Sequence, residues 1–570
     1  MTPTLYLGPV PKTFDRHRDL AASIASFINQ EDLIENWEDL PFVQPHPPQD
    51  HVEYYANLLL DELCTILTKT LNQQHQIDYS TAYWRRLLIS WLIELFSISF
   101  CAYLLTDELV KKHKKTALHV SILELSSPWH IIDPPDFESK GLCNLLFFEW
   151  LLGQYIQANL TPNWTISKKK HSPEKENRKA SRRDYRARRC LGIKGLSTSQ
   201  ELFLSAMLKI KSHIKPLKPC PKRSTFCNPP PSSKNTQSLY DHWNTSFKPI
   251  FFKHALRHLP KHVTDNFAFF HARAKKKWFF KGGIRLVSTL FYSNPQGQHY
   301  LALAEEKGEQ LIGSQHGGNY GHDRFHYPPY KVERENNHFL SWGWTQQSPY
   351  STTATPLSSP MLSKLAKKTK KQDTNTKKQT IILIGTNMWA YGLGLFFNLY
   401  IGTSILDYRK NKLRFIKTLK NKKNFVYRPY PRSKNFLDDE GYIRKHAPYV
   451  PILNTPAFEA ALLQAKCLVL DHPGTTLNIA LAINKPIVVY VPKTCQWSTE
   501  ANPFFTALEQ AKILFYSPKQ AAEHLNHVHN TLDDWWYSEA VQTARKQWIN
   551  TFAKTSPHYF IDWVKTLWDL

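Results

Sequence analysis

The sequence predicts an α/β protein of two lobes, helix-rich at its start and closed by further helices at its C-terminal side. Three observations carry this reading. From Thr380 onward, β-rich runs over 380–384, 425–430, 467–470 and 486–491 alternate with helical patterns over 408–419, 457–465 and 475–483. Such alternation marks a doubly wound parallel sheet, whose ligands bind at the carboxyl ends of its strands. A second βαβ pattern precedes it, with strands over 284–292 and 310–314 about a helix over 298–307, and a further strand over 339–344; a parallel sheet follows from it. Finally, 570 residues exceed what one core can hold, so two or three domains are expected.

The elements before these units are mainly helical. Apolar residues recur at three- and four-residue spacing over 54–71 and 83–105, while Thr116, Leu118, Val120 and Ile122 alternate as in a strand. Met1 to Pro9 has neither a basic region nor a long apolar run, and reads as a first strand, not a signal peptide. Leu87 to Leu105 is almost wholly apolar, lies between Arg85-Arg86 and Lys111-Lys112, and has about the length a bilayer needs. Glu94, Ser90, Ser97 and Ser99 within it favour a buried or surface-docking helix; its basic flanks leave room for peripheral attachment to an anionic membrane face.

Ser167 to Arg189 is hydrophilic and basic and reads as a solvated insertion, with an arm touching RNA or phospholipid as the second reading. Lys211 to Ser233, rich in proline, is also irregular, and the lobe is expected to carry a basic insertion near 165–235. Lys364 to Lys378 carries seven lysines and reads as a polar linker. The expected division is therefore an N-terminal lobe over 1–362 and a C-terminal lobe over 379–570. The closing segment, with Trp535-Trp536-Tyr537 and Trp548, reads as amphipathic helices.

A formal charge of +26 favours an anionic partner: a nucleotide, a phosphorylated lipid, a membrane surface or nucleic acid. Eight cysteines without a CxxC offer neither a zinc ribbon nor a disulfide framework, and point to a reducing compartment. There is no Walker lysine and no GxGxxG, so an ATPase and a nicotinamide enzyme are unsupported. The histidines form no HExxH or comparable set, and no GxSxG elbow is present. A metal site is not expected.

Two turns carry the candidate chemistry. Leu311 to Gly321 runs from an apolar strand into Gln315-His316-Gly317-Gly318-Asn319, where glycines admit close backbone approach and His316 is placed to move a proton. Asp471-His472-Pro473-Gly474-Thr475-Thr476 repeats the layout at a helix start, where free amides and hydroxyls converge on an anion such as a diphosphate. Arg428 ends another strand of the same sheet and can bind phosphate bidentately. Asp471 and His472 are further candidates facing the cleft.

Several blocks resemble a family of transferases found with O-antigen and surface-polysaccharide biosynthesis genes. They are Leu5-Tyr6-Leu7-Gly8-Pro9, Tyr83-Trp84-Arg85-Arg86, Gly313 to Gly321, Trp342-Gly343-Trp344, Arg428 with Tyr430-Pro431, Gly474-Thr475-Thr476, and Trp535 to Val541. The resemblance implies an architecture similar to a GT-B glycosyltransferase: two Rossmann-like lobes, the nucleotide-sugar donor on the C-terminal one and a glycan acceptor, lipid-linked as one option, on the other. The histidine turn is also similar to that of glycerophosphotransferases and Kdo transferases. Carried over, His316 is the general base or stabilises the donor phosphate, and Thr475, Thr476 and Arg428 hold that phosphate. Gln315, Gly317, Gly318, Asn319, Asp471, His472 and Gly474 complete the implied substrate contacts, with no cofactor and no metal.

Where relatives tend to carry a glutamate on the helix after the threonine pair, this chain has Ile479. The function implied is transfer of a sugar from a nucleotide-activated donor to an O-antigen-type acceptor, in the cytoplasm or at the inner membrane face. A CDP-glycerol-like polyol-phosphate transferase is the alternative, and a fold kept as a scaffold is a third. A non-enzymatic nucleic-acid binder is the rival from another class, although no RNP, KH or zinc-finger pattern accompanies the charge.

Overall fold

The computed structural model describes residues 2–27, 30–34, 37–44, 48–172, 192–214, 234–276, 283–288, 294–324, 332–336, 338–348, 354–372, 380–386, 404–430, 438–454 and 458–570. Its strands form three parallel sheets. The first joins β1 (Thr4–Tyr6), β2 (Leu20–Ala21), β3 (Leu118–Leu125) and β4 (Trp164–His171) in the order β2-β1-β3-β4. The second runs β5 (Ile284–Val287), β6 (Gln310–Ser314), β7 (His338–Ser341) and β8 (Thr355–Pro356) in sequence order. The third has β9 (Thr380–Ile384), β10 (Phe425–Arg428), β11 (Ala465–Leu470), β12 (Ile487–Tyr490) and β13 (Leu514–Phe515) in the order β10-β9-β11-β12-β13. Strand order reverses about β9, so a topological switch point lies between β9 and β11 at their carboxyl ends.

Large apolar cores hold these sheets. Helices α1 (Gln49–His75), α2 (Thr81–His113) and α3 (Leu145–Ala158) bury most of their side chains against the first sheet and each other. Helix α2 is long and apolar enough to cross a bilayer, yet 89% of its most apolar window is buried within the protein. Its basic flank is occupied as well, which corrects the reading of those arginines as membrane contacts. Arg86 is buried, pairs with Glu305 at 3.0 Å and donates to the Glu335 carbonyl at 2.9 Å; Arg85 pairs with Glu335 at 2.7 Å. These bonds tie α2 to the region before β7, because a buried guanidinium needs carboxylate and carbonyl partners.

Three further expectations are corrected. Ser167 to His171 belongs to β4, paired in register with β3 from Leu118–Trp164 to Leu125–His171. Lys168 pairs with Glu124 at 3.0 Å, and three lysines on an edge strand are a usual defence against edge pairing. The rest of that basic run, 173–191, lies outside the described residues, as do 215–233. Thr198 to Ile214 is a helix, α4, carrying Leu204, Met207 and Leu208 into the core. The lysine-rich start of the expected linker is also helical: α5 (Pro360–Gln372) buries Leu362, Leu365 and Thr369 on one side. Residues 373–379 lie outside the description. The strand expected over 339–344 stops at Ser341, and that expected over 284–292 is described to Val287.

The C-terminal sheet matches its expected elements within a few residues. Helix α6 (Ser404–Thr418) follows β9, and α7 (Thr475–Ala482) follows β11. After α8 (Glu539–Phe552), the helix α9 (Tyr559–Asp569) returns to the middle sheet. Trp563 and Leu567 pack with Leu204, Leu286, Ile312 and Leu340, and the Trp563 indole donates to the Ser358 carbonyl at 2.8 Å.

The helical N-terminal region buries several histidines. His254, on the helix Lys248–Arg257, stacks edge-on against Trp150 with ring centroids 4.7 Å apart, and neither ring nitrogen has a hydrogen-bond partner among the described residues. Burial lowers its pKa to about 3, and lowers those of His258 and His262 to about 4 and about 3. Each is therefore neutral when folded but takes up a proton once unfolded below about pH 6.5. Stability from these groups is complete above that pH and is lost as pH falls toward their folded values. Replacing His254 by Phe should leave urea unfolding little changed in its pH-independent part, yet at pH 5.0 relative to pH 7.5 the variant should gain about 2 kcal/mol over the parent. An equal pH response in both proteins would refute a neutral buried His254.

Candidate functional site

The histidine turn starts where β6 ends at the carboxyl edge of the middle sheet. Gln315 donates its side-chain amide to the Gly317 carbonyl at 2.8 Å, while its oxygen accepts from the Trp342 amide at 2.8 Å and the Trp344 indole at 2.9 Å. With its side chain 97% enclosed by these contacts (3% exposed), Gln315 positions the turn and does not face a ligand, which corrects its expected role. Gly343 has φ +127°, and a Cβ there would lie 2.8 Å from the Asn550 and Thr551 carbonyls, so the tryptophan turn seats α8 as well.

His316 is partly exposed, and its Nδ1 lies 3.0 Å from Glu333 Oε1 and 3.1 Å from Oε2. The Tyr320 hydroxyl is 2.9 Å from the same nitrogen and donates to the same carboxylate. Glu333 is fully buried, and a buried carboxylate is held in place by such donors. It accepts from Nδ1–H, which leaves Nε2 as the basic nitrogen of the neutral ring. A carboxylate behind an imidazole fixes its tautomer and stabilises the imidazolium that forms when Nε2 takes a proton.

Gly318 shows what the paired glycines accomplish. Its amide donates to Thr475 Oγ1 at 2.7 Å, and a Cβ on it would stand 2.4 Å from the Thr475 nitrogen and 2.6 Å from the Gly474 carbonyl carbon. Close approach is thus made to the other lobe's backbone and not to a ligand, which corrects the expected role of Gly318. A Cβ on Gly317 would lie 3.3 Å from Thr475 Oγ1, so both glycines line the junction. Asn319 takes φ +74°, and its amide donates to His322 Nε2 at 3.1 Å. His322 therefore carries its proton on Nδ1, 2.9 Å from Asp323. The Ser498 amide and hydroxyl donate to the His322 and Gly321 carbonyls at 2.8 and 2.9 Å, which clamps the loop to the second lobe. Asn319 Oδ1 is buried, lacks a partner among the described residues, and lies beside Gly474.

Across the junction, β11 delivers Gly474 as the N-cap of α7, with no side chain capping it. A Cβ on Gly474 would fall 2.8 Å from His472 Nδ1, so a larger residue there would displace that imidazole. Burial lowers the His472 pKa to about 4, with Asp323 acting in the opposite direction; the ring is neutral. Thr475 and Thr476 are half-buried at the helix start, whose amides and dipole favour an anion. Arg428 and Leu470 both stand level with Ile384 on either side of β9, so Arg428 sits on the same rim, about 10 Å across two strand spacings. Its guanidinium is mostly enclosed, lies 5.6 Å from the Phe458 ring, and has its pKa lowered by burial.

Asp471 is placed differently from expectation. It points into a buried polar cluster beneath the rim, 3.3 Å from Lys412 Nζ. Lys412 also donates to the Tyr408 and Tyr427 hydroxyls at 2.6 and 3.0 Å and pairs with Asp439. Burial raises the Asp471 carboxyl pKa while the neighbouring ammonium opposes the rise. Asp471 thus anchors the turn from below. Asn478 accepts from the Trp548 indole at 2.9 Å, and Ile479 joins the apolar core with Leu477 and Leu481. Among the described residues, no group of three or more His, Cys, Asp and Glu side chains is disposed to hold a metal.

The sequence reading missed Glu333, Tyr320, His322 and Lys412. Glu333 lies in Val332-Glu333-Arg334-Glu335-Asn336, a polar run that reads as surface charge, although Val332, Glu333, Arg334 and Asn336 are all buried. Tyr320 sits within the block already singled out and His322 immediately follows it, and their spacing from His316 was the signal available.

A histidine turn backed by a carboxylate thus meets a glycine-capped helix start at a switch point of a parallel α/β fold. The chain belongs to the family described as LIC12162 family transferase, which it matches over residues 3–567. Among solved structures it is similar to MurG of Acinetobacter baumannii, at 12% identity and a TM-score of 0.30, over 53% of this chain and 77% of that one. It is also similar to the wall teichoic acid polymerase TagF, at 10% identity and a TM-score of 0.29, over 52% and 84%. No curated protein matches the chain.

The junction gives a direct expectation. Gly318→Ala should lower stability by about 1–3 kcal/mol, because backbone and not a flexible side chain obstructs the new methyl. An unchanged thermal unfolding midpoint would show that the two turns are not held this closely.

Proposed function

We propose that this transferase moves a sugar from a nucleotide-activated donor to a hydroxyl of a surface-polysaccharide acceptor of the O-antigen type. The observation that carries the reading is the Glu333-backed His316 imidazole at the rim of the turn that meets Gly474-Thr475-Thr476. In the reaction the acceptor oxygen attacks the anomeric carbon and passes its proton to His316 Nε2, while the bond from that carbon to the diphosphate breaks. The α7 amides, the threonine hydroxyls and Arg428 receive the negative charge left on the nucleoside diphosphate. Asn319 Oδ1, buried at the junction, is suited to accept from a substrate hydroxyl. The protein would act in the cytoplasm, with a lipid-linked acceptor drawing it to the inner membrane face.

A second reading, transfer of a polyol phosphate from a CDP-linked donor, is favoured by one specific feature. Ile479 lies in the core and Asn478 is taken by Trp548, so α7 offers no carboxylate to a sugar or ribose hydroxyl. There the acceptor oxygen attacks phosphorus and a nucleoside monophosphate leaves, with the same base and the same anion site. A thermal-shift panel of nucleotide sugars and CDP-polyols separates the two, since the donor that raises the midpoint names the class.

His316→Ala should abolish transfer with the fold intact, and Glu333→Gln should lower kcat about 10²–10⁴-fold with KM little altered. Undiminished turnover in His316→Ala would remove the histidine from the chemistry. Arg428→Lys should weaken donor binding, read as a higher KM, because an ammonium does not match the bidentate geometry.

A further inference from the structure

Helices α4 and α9 lie side by side on one face of the middle sheet. The Phe203 and Phe560 rings stand 5.8 Å apart near their starts, and Lys211 bonds the Trp568 carbonyl near their ends, so the helices run in the same direction. Both bury one side in the core formed with Ile284, Leu286, Ile312 and Leu340. Their opposite sides therefore look away from the sheet together. That outer surface is not polar. Leu202, Phe203, Ile210 and Ile214 of α4, with Ile561 and Trp568 of α9, are each between 44% and 68% exposed. On α4 they follow helical spacing, so the helix carries apolar residues on both its sides. Single exposed apolar side chains are ordinary, but six on two adjoining helices form a strip that asks for a partner.

Charge identifies that partner. Lys209 and Lys565 are exposed on the same two helices, against Asp569 and the half-buried Asp562, which accepts from Ser358 at 3.3 Å. The chain entering α4, 173–191, contains eight Lys and Arg against three acidic residues; the chain leaving it, 215–233, contains four Lys and Arg and no acidic residue. In sequence α4 is thus preceded and followed by basic runs, and apolar side chains with exposed lysines and a tryptophan suit the headgroup region of an anionic bilayer. We propose that the outer face of α4 and α9 is the surface by which this protein rests on an anionic membrane. This extends the peripheral contact in the proposed function and replaces α2, whose apolar window is buried, as the element that makes it. The lobe held at the bilayer is then the one whose sheet carries His316, where a lipid-linked acceptor would be presented.

The test uses the full chain and needs neither donor nor acceptor, so its failure leaves the transferase reading standing. The protein is sedimented with vesicles of phosphatidylcholine alone and of phosphatidylcholine with phosphatidylglycerol. The anionic vesicles should bind it, and Leu202→Glu with Ile210→Glu should reduce that partition at least about tenfold, with circular dichroism and unfolding midpoint unchanged because both side chains are exposed. Ile561→Glu on the other helix should weaken binding independently. Three outcomes overturn the proposal: no binding of the parent to anionic vesicles, equal binding of parent and double variant, or a dimer in solution that the double variant dissolves. The last would make a second copy the occupant of the strip.

Discussion

The hydrogen bond from the Gly318 amide to the Thr475 hydroxyl joins the two turns on which the site depends. One end closes the strand–turn of the middle sheet, the other opens the helix after β11 at the switch point of the C-terminal sheet. Everything around it serves that meeting. Gln315 holds the first turn to the tryptophan pair, Ser498 clamps its far side, and the Lys412 cluster fixes the second turn from beneath. Glycine is required where the backbones touch, and the histidine next to it inherits a fixed position relative to the start of α7.

Much of this was legible in the sequence. Apolar runs located β6, β9, β11 and α7 within a few residues because these elements are buried on nearly every side, and they located α2 although it runs on to His113. The two glycine turns stood out for the same reason that they matter, namely that little else fits. What escaped was the partner of His316. Glu333 comes from a charged run that reads as surface, yet tertiary packing buries Val332, Glu333, Arg334 and Asn336 together. Roles within the turns were also beyond the pattern. Gln315, Gly318 and Asp471 read as ligand groups because of where they sit, yet the first is consumed by two tryptophans, the second by the facing lobe, and the third by a buried lysine. Position along a strand end tells which residues are near a rim, not which way each one points.

Two basic stretches taught a related lesson. Lysines at 168–170 and 364–371 suggested solvated chain, but in each case a minority of apolar residues at the right spacing turns the segment into a strand or a helix. Lysine is compatible with both, since its stem lies along the surface while the ammonium stays in water. Charge density alone does not separate a linker from the exposed side of a regular element.

The return of α9 to the middle sheet has a consequence for biogenesis. Trp563 and Leu567 fill a core whose other members come from residues 193 to 357, so that core stays open on the ribosome until the entire second lobe has been synthesised. Until then α4 alone covers the apolar sheet face around Ile312 and Leu340, so completion of this lobe comes last in the order of folding.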